Sequence, residues 1–466
     1  MGEIWRRSAT ELAGAIASGE LSSVEVVQAH LDRIEAVNPA VNAITLVLTD
    51  DALQAAKEAD RAVADGEALG VFHGVPFTIK ENLDVEGSAT TEGVPALAEA
   101  IAPTDAPIVE RLRAAGAIPL ARTNLPDFGL RVHTDSGLHG VTRNPFDGTK
   151  TAGGSSGGEA AALASGMSPL GLGNDIGGSL RNPAYCCGIT SLKPSSHRLP
   201  RADSTTQVEP VLASQLMSVD GPMARRVADV RAAFRVVAGP HPRDPFCVPA
   251  PLDGPALAAP IRVALVPEPP GGSTAPAVAA AVRAAGGALA DAGYEVVEST
   301  PPMVEAAIET WSHWLISEIG TLKPLMQPIM NAAAVRFLDW AEEHIGTVDF
   351  AGGVELMMKR HAIARAWSEF FVEHPLVVGP VWTAPAFTAG WDAESEANAL
   401  ATLELIRFVT PMNLLGVPSA AVPTGLADGM PVGVQVAGPW YREDLCLDAA
   451  EAIEARLGTI TPIDPR

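Results

Sequence analysis

An α/β fold is predicted for this chain by the way segment types alternate along it. Residues 105–116 carry an amphipathic helical pattern that feeds the apolar run Ala117-Ile118-Pro119-Leu120-Ala121, and helix-then-strand order is what an α/β sheet requires. The same order returns later, where 261–266 reads as a strand, 275–292 as a helix and 294–297 as a strand, a βαβ unit. A hydrophobic content of 47% over 466 residues is ample for the core such a fold needs.

Taken in order, the chain opens with two helix-start signals. Ser8-Ala9-Thr10-Glu11 and Ser22-Ser23-Val24-Glu25 both have capping-box spacing. The first helix is expected to stop at Gly19 and the second near Asn38-Pro39. Ala43-Ile44-Thr45-Leu46-Val47-Leu48 reads as a strand, 51–65 as an Ala-rich helix, and Val75-Pro76-Phe77-Thr78-Ile79 as a second buried strand that ends in Lys80. Most lysines are solvated surface charges, but this one closes an apolar run. Glu81, its neighbour, is read as a partner or a surface charge.

Residues 153–181 stand apart. Gly153-Gly154-Ser155-Ser156-Gly157-Gly158 is followed by the helix-forming Glu159-Ala160-Ala161-Ala162-Leu163-Ala164-Ser165, the short apolar strand 168–173, and then Gly173-Asn174-Asp175-Ile176-Gly177-Gly178-Ser179-Leu180-Arg181. Glycine serves where backbone must press close to another group, and consecutive N–H groups in a Gly-rich turn can converge on one point. A phosphate loop would need a Lys after the glycines, and there is none. Gly154-Ser155-Ser156-Gly157-Gly158 fits G-x-S-x-G, yet no apolar strand leads into it, as a nucleophile elbow requires. Asp175 and Arg181 argue against an inert linker.

These residues carry a resemblance to the amidase signature family, whose hallmark is a G-G-S-S-G-G loop followed by G-x-D-x-G-G-S. Ser155 and Ser179 stand 24 positions apart, as the family's two key serines do, and Gly74-Val75-Pro76-Phe77-Thr78-Ile79-Lys80 is similar to its G-[IV]-P-x-x-x-K segment. Further matches lie in Arg122-Thr123-Asn124-Leu125-Pro126-Asp127-Phe128, in Gly221-Pro222-Met223-Ala224-Arg225 and in Pro431-Val432-Gly433-Val434-Gln435-Val436-Ala437-Gly438-Pro439. Segment 187–198 resembles C-G-x-x-G-L-K-P-T-x-G-R but departs at Ser191, Ser195 and His197.

The resemblance implies a large twisted mixed sheet covered by helices on both faces, in one domain spanning 1–466. Its signature core would lie at about 70–235, with variable substrate-pocket helices at about 303–375. It further implies Ser179 as nucleophile, Ser155 as bridging serine and Lys80 as base, the backbone N–H groups of Ile176, Gly177, Gly178 and Ser179 as oxyanion donors, and Ser156, Asp175 and Arg181 in support. His133, Thr134 and Asp135 become pocket candidates, a solvated loop being the other reading of them. Lys80 can act as a base only if burial keeps it neutral, against an ordinary value of about 10.4. The reaction expected is hydrolysis of small, aryl-containing amides, with esters and carbamates as further substrates. Two alternatives remain: a glutamine amidotransferase A-type subunit working with partners, and a catalytically silent binding protein.

Trp311, Trp314, Phe337, Trp340, Trp367, Phe370 and Phe371 recur at helical spacings, which suits packing against the sheet better than an aromatic pocket. With 32 basic and 55 acidic residues the net charge is −23, which disfavours nucleic acid and anionic membrane. Four cysteines form no disulfide framework and no zinc spacing. His313, His344, His361 and His374 form no H-E-x-x-H pair, so neither metal nor cofactor is expected. From Met1 onward no apolar signal region appears and no run is long enough to span a membrane, so a cytoplasmic monomer or homodimer is expected.

Overall fold

A computed structural model of the protein describes residues 3–206 and 209–466; Met1 and Gly2, where the reading of the N-terminus begins, lie outside the described residues. Both capping boxes form. Ser8 caps α1 (Ala9–Ala17) and Ser22 caps α2 (Ser23–Val41), each donating its own backbone N–H in return to its Glu carboxylate. Helix α2 corrects one expectation, because it runs through Pro39 rather than stopping there. Pro39 falls in the last turn, where a missing N–H costs only one helical bond. Asn38 Oδ1 then accepts from the N–H groups of Ala43 and Ile44 and turns the chain into the sheet.

The first half continues through β1 (Ile44–Val47), α3 (Thr49–Ala64), β2 (Pro76–Lys80), α4 (Pro107–Ala114) and β3 (Ile118–Thr123). A small hairpin, β4 (Asp135–Ser136) and β5 (Gly140–Val141), precedes α5 (Gly157–Ala164), β6 (Leu170–Asp175), α6 (Arg181–Cys187), β7 (Thr190–Lys193), α7 (Leu212–Met217), β8 (Val219–Ala224) and α8 (Val227–Val237). The second half holds β9 (Arg262–Leu265), α9 (Pro276–Asp291) and β10 (Glu295–Glu298), then the helices α10 (Val304–Met326), α11 (Ala332–Ile345) and α12 (Phe350–Glu373). It closes with β11 (Leu376–Pro380), α13 (Glu396–Leu405), α14 (Thr410–Leu415), β12 (Ser419–Ala427), β13 (Met430–Ala437) and α15 (Glu443–Leu457).

Eleven strands form one sheet in the order β1-β3-β2-β6-β8-β7-β12-β13-β11-β9-β10. Pairing is parallel across β3-β2-β6 and β11-β9-β10, and antiparallel through the centre. The sheet is therefore mixed, and two apolar cores sandwich it. Alternation along each strand decides which core a side chain joins: Leu376 and Val378 face one, Val377 the other. Helices α1, α4, α8, α9 and α15 cover the first face, and α5, α6, α10, α12 and α14 the second.

That alternation also places the functional groups. Phe77 and Ile79 of β2, with Leu170 and Leu172 of β6, are buried in the first core. Thr78 and Lys80 therefore point to the opposite face, where α5 lies. Because β2 and β6 are parallel neighbours, with Ile79 opposite Leu172, their C-terminal ends open side by side, the place where α/β sheets hold ligands.

Candidate active site

Lys80 ends β2 with its side chain fully buried. Its Nζ lies 2.6 Å from Ser155 Oγ and 2.6 Å from Asn174 Oδ1, and Asn174 is held in turn by its Nδ2 donating to Asn82 Oδ1 at 2.9 Å. Burial pushes the amine down to about 7, against the pull of Glu92, Asp175, Asp220 and Glu159. Two of those carboxyls oppose it weakly, since burial raises Glu92 and Glu159 to about 8, whereas Asp175 and Asp220 keep their charge near neutrality and burial still outweighs them. The result is an amine that changes charge near neutrality and touches a serine hydroxyl.

Ser155 sits in a loop that only glycine can build. A Cβ on Gly154 would lie 2.6 Å from the Val132 carbonyl carbon and 2.7 Å from the Arg131 oxygen, so the 131–134 segment presses directly on the loop. Thr134 Oγ1 donates to the Gly153 carbonyl at 2.9 Å and accepts from the Gly157 N–H at 3.1 Å. His133 Nδ1 lies 2.9 Å from Thr151 Oγ1, and burial lowers its imidazole to about 4. Both side chains are fully buried. Of these pocket candidates, Thr134 bonds the serine loop directly and His133 reaches it through Thr151. Asp135 accepts from Arg131 at 3.2 Å, and Arg131 forms a buried two-point pair with Asp392 at 2.9 Å for each bond, tying this brace to the chain before α13.

Ser179 lies in the turn between β6 and α6. The Ser156 N–H donates to the Ser179 carbonyl at 3.3 Å, which joins the two serine loops one residue from Ser155. Ser156 Oγ faces the Asn174 carbonyl at 3.5 Å. Lys80, Ser155 and Ser179 are all buried, with relative exposures of 0%, 2% and 6%.

Asp175 and Arg181 hold the turn. Asp175 accepts from the Gly178 N–H at 2.7 Å, the Leu180 N–H at 3.1 Å, Arg181 at 3.0 and 3.1 Å and Asn413 at 2.9 Å. Burial would raise this carboxyl, but Arg181 outweighs it and brings the group to about 2. Arg181 also bonds the Val409 carbonyl, Gln435 and Asn413, so the turn is anchored to α14 and β13. One expected donor is thereby removed, because the Gly178 N–H is turned to Asp175. The N–H groups of Ile176, Gly177 and Ser179 have no hydrogen-bond acceptor among the described residues.

Two contacts at the site went unassigned in the sequence. Asn174 stands within the G-x-D segment, and its place two residues before Ile176 at a strand end was the available signal. Trp311, read as core, donates its indole N–H to the Ile176 carbonyl at 2.9 Å across 135 residues of chain; no local pattern announces that. All four cysteines are free and buried, as small core residues are. No helix among the described residues is long and apolar enough to cross a membrane.

Comparison with known proteins identifies the family. The family model described as Amidase matches residues 25–447. Indoleacetamide hydrolase of Bradyrhizobium diazoefficiens is 43% identical over 98% of this chain and 88% of its own. The A-type subunit of the glutamyl-tRNA(Gln) amidotransferase of Salinispora tropica is 34% identical, over 98% of each chain. Among solved structures, 6-aminohexanoate cyclic dimer hydrolase bound to its substrate superposes with a TM-score of 0.83, 28% identity and 98% coverage of both chains. With the signature loops in place and the match running nearly end to end, the chain belongs to the amidase signature family of amide hydrolases.

Proposed function

We propose that this protein is a serine-type amidase that hydrolyses small arylacetamides of the indole-3-acetamide kind, working through Ser179, Ser155 and Lys80. The observation that carries the reading is the fully buried Lys80 amine, 2.6 Å from Ser155 Oγ. A neutral amine has two N–H bonds and one lone pair. Asn174 Oδ1 takes one N–H, which leaves the lone pair for the Ser155 proton.

Lys80 accepts that proton while Ser155 accepts one from Ser179, and Ser179 Oγ attacks the amide carbon. The carbonyl electrons move to oxygen, where the N–H groups of Ile176, Gly177 and Ser179 receive the charge, each contributing about 3 kcal/mol in such sites. As the C–N bond breaks, Ser155 gives its proton to the leaving ammonia and is reprotonated by Lys80. Water then repeats the attack on the acyl-enzyme and releases the acid. Esters and aryl carbamates present the same acyl carbon and are proposed as secondary substrates.

The substrate class rests on the 43% identity to indoleacetamide hydrolase. The amidotransferase alternative finds a relative at 34% identity, but Lys193-Pro194-Ser195-Ser196-His197-Arg198-Leu199-Pro200 lacks the K-P-T-Y-G-R-V-S continuation and the net charge of −23 suits RNA poorly. Ammonia release from indole-3-acetamide by the purified chain alone tests the proposal. Turnover is expected without any partner, and Ser179→Ala is expected to abolish it with the melting temperature unchanged. Release of ammonia only from glutamine, and only with added partner chains, would replace the reading with the amidotransferase one.

A further inference from the structure

The turn that carries Ser179 is held by its carbonyl groups. Asn182 supplies two of the bonds, its Nδ2 to the Gly177 oxygen at 3.1 Å and its N–H to the Gly178 oxygen at 2.6 Å. The Ser156 N–H takes the Ser179 oxygen at 3.3 Å. All of these donors come from the serine loop or from the first residues of α6. The fourth carbonyl, that of Ile176, is held from elsewhere, by the indole N–H of Trp311 on α10 at 2.9 Å. The ring also packs against the turn, since a Cβ on Gly177 would lie 2.6 Å from Trp311 Cζ2.

A trans peptide points its C=O and its N–H to opposite sides, and the Ile176–Gly177 bond is not among the cis bonds of the chain. Fixing the Ile176 oxygen on Trp311 therefore fixes the Gly177 N–H away from Trp311. A hydrogen bond accepted by a peptide carbonyl also polarises the N–H of the same unit and strengthens it as a donor.

We propose that Trp311 is a positioning residue for the oxyanion site: by holding the Ile176 carbonyl, its indole N–H aims the Gly177 N–H at the acyl oxygen. The inference rests on the serine-acyl reading above. It assigns a part in the chemistry to a helix that lies outside the Gly/Ser loops and that would otherwise shape only the acyl pocket.

Trp311→Phe tests this, because it keeps an aromatic ring and deletes the N–H. With phenylacetamide as substrate, kcat is expected to fall roughly tenfold, less than the 10²- to 10³-fold cost of losing an oxyanion donor outright. The inhibition constant of phenylacetaldehyde, which a serine captures as a tetrahedral adduct, should rise by the same factor. KM and the inhibition constant of phenylacetate, which makes no such adduct, should stay within about twofold of wild type. An unchanged kcat and aldehyde affinity would overturn the proposal. So would a rise in KM and phenylacetate inhibition constant with kcat unaltered, since Trp311 would then be a pocket wall only. Should Trp311→Phe fail to fold, 3-benzothienylalanine at position 311 keeps the bicyclic shape with sulfur in place of N–H and gives the same readouts. Fluorophosphonate labelling of the wild type, located by mass spectrometry, separates the two layers: no label on Ser179 removes the serine reading itself, whereas a labelled Ser179 with a wild-type-like Trp311→Phe removes only the role of Trp311.

Discussion

Two lysines end strands of the same sheet, Lys80 on β2 and Lys193 on β7, and both are fully buried. Burial lowers each to about 7. Their surroundings differ. Lys80 Nζ meets a serine hydroxyl and a fixed amide oxygen, whereas among the described residues Lys193 Nζ donates only to the carbonyl of Pro194, at 2.8 Å. At Lys193 the charge of Arg181 adds to the effect of burial, while Asp175 and Glu443 oppose it. A depressed pKa therefore does not by itself mark a base; the hydroxyl within reach does.

The sharpest way to break this comparison is to delete each amine in turn. Lys80→Met is expected to lower kcat/KM for indole-3-acetamide by about 10⁴-fold, the scale on which a serine nucleophile loses its base, with the melting temperature held or raised. Lys193→Met should leave kcat within about threefold and instead cost about 1 kcal/mol of stability as the Pro194 carbonyl loses its partner. Comparable losses of activity in both variants would mean that the two sites act as one.

Asn174 comes next. Its Oδ1 takes one N–H of Lys80, so Asn174→Leu frees the amine to rotate, and misplacement of that kind costs about 10- to 100-fold in kcat. The same substitution removes an acceptor that favours the charged amine, which should shift the pH profile toward acid. In the wild type kcat/KM is expected to rise with unit slope below pH 7 and to flatten between about pH 7 and 8, because the base works only when neutral and its value is about 7. Lys193→Met should leave that limb in place. A limb that follows Lys193→Met and not Asn174→Leu would assign the titration to the wrong lysine.

What the sequence made legible follows the same division. The spacing of Lys80, Ser155 and Ser179 could be read from three glycine-rich or apolar motifs, because each motif is a local backbone requirement: a buried strand end, a loop under the pressure of 131–134, a turn wound around Asp175. The α/β alternation was legible for a similar reason, since β2, β3, β9 and β10 are short apolar runs next to amphipathic helices. The pairing that makes the sheet mixed, with β12 and β13 between β7 and β11, was not, because strand order depends on contacts between distant segments. His133 and Thr134 were placed near the site, but their partners, Thr151 for the one and the Gly153 and Gly157 backbone for the other, were not legible, since a sequence does not say which face of a loop a side chain takes. Gly178 looked like a donor until Asp175, three residues earlier, claimed its N–H. Glu159 was read only as a helix former, although it proves to be buried beside the base.

Glu159 gives the smallest and most discriminating test. Its carboxyl accepts from Thr123 Oγ1 at 2.9 Å and pairs closely with Thr78 Oγ1, so it clamps α5, which follows the serine loop, to the strands β2 and β3. Burial raises it to about 8, against the hydrogen bonds of Thr78 and Thr123 and the charge of Lys80, so near pH 7 it is mostly neutral. Glu159→Gln replaces a neutral acid by a neutral amide of the same shape, and kcat/KM at pH 7 should stay within about twofold of wild type. Above pH 8 the two should part, because the wild-type carboxyl ionises and its charge favours protonated Lys80, whereas the amide cannot. The variant should then be the more active at pH 9.5. If instead Glu159→Gln is already clearly the more active at pH 7, the carboxyl is ionised at neutrality and its charge holds part of Lys80 protonated there.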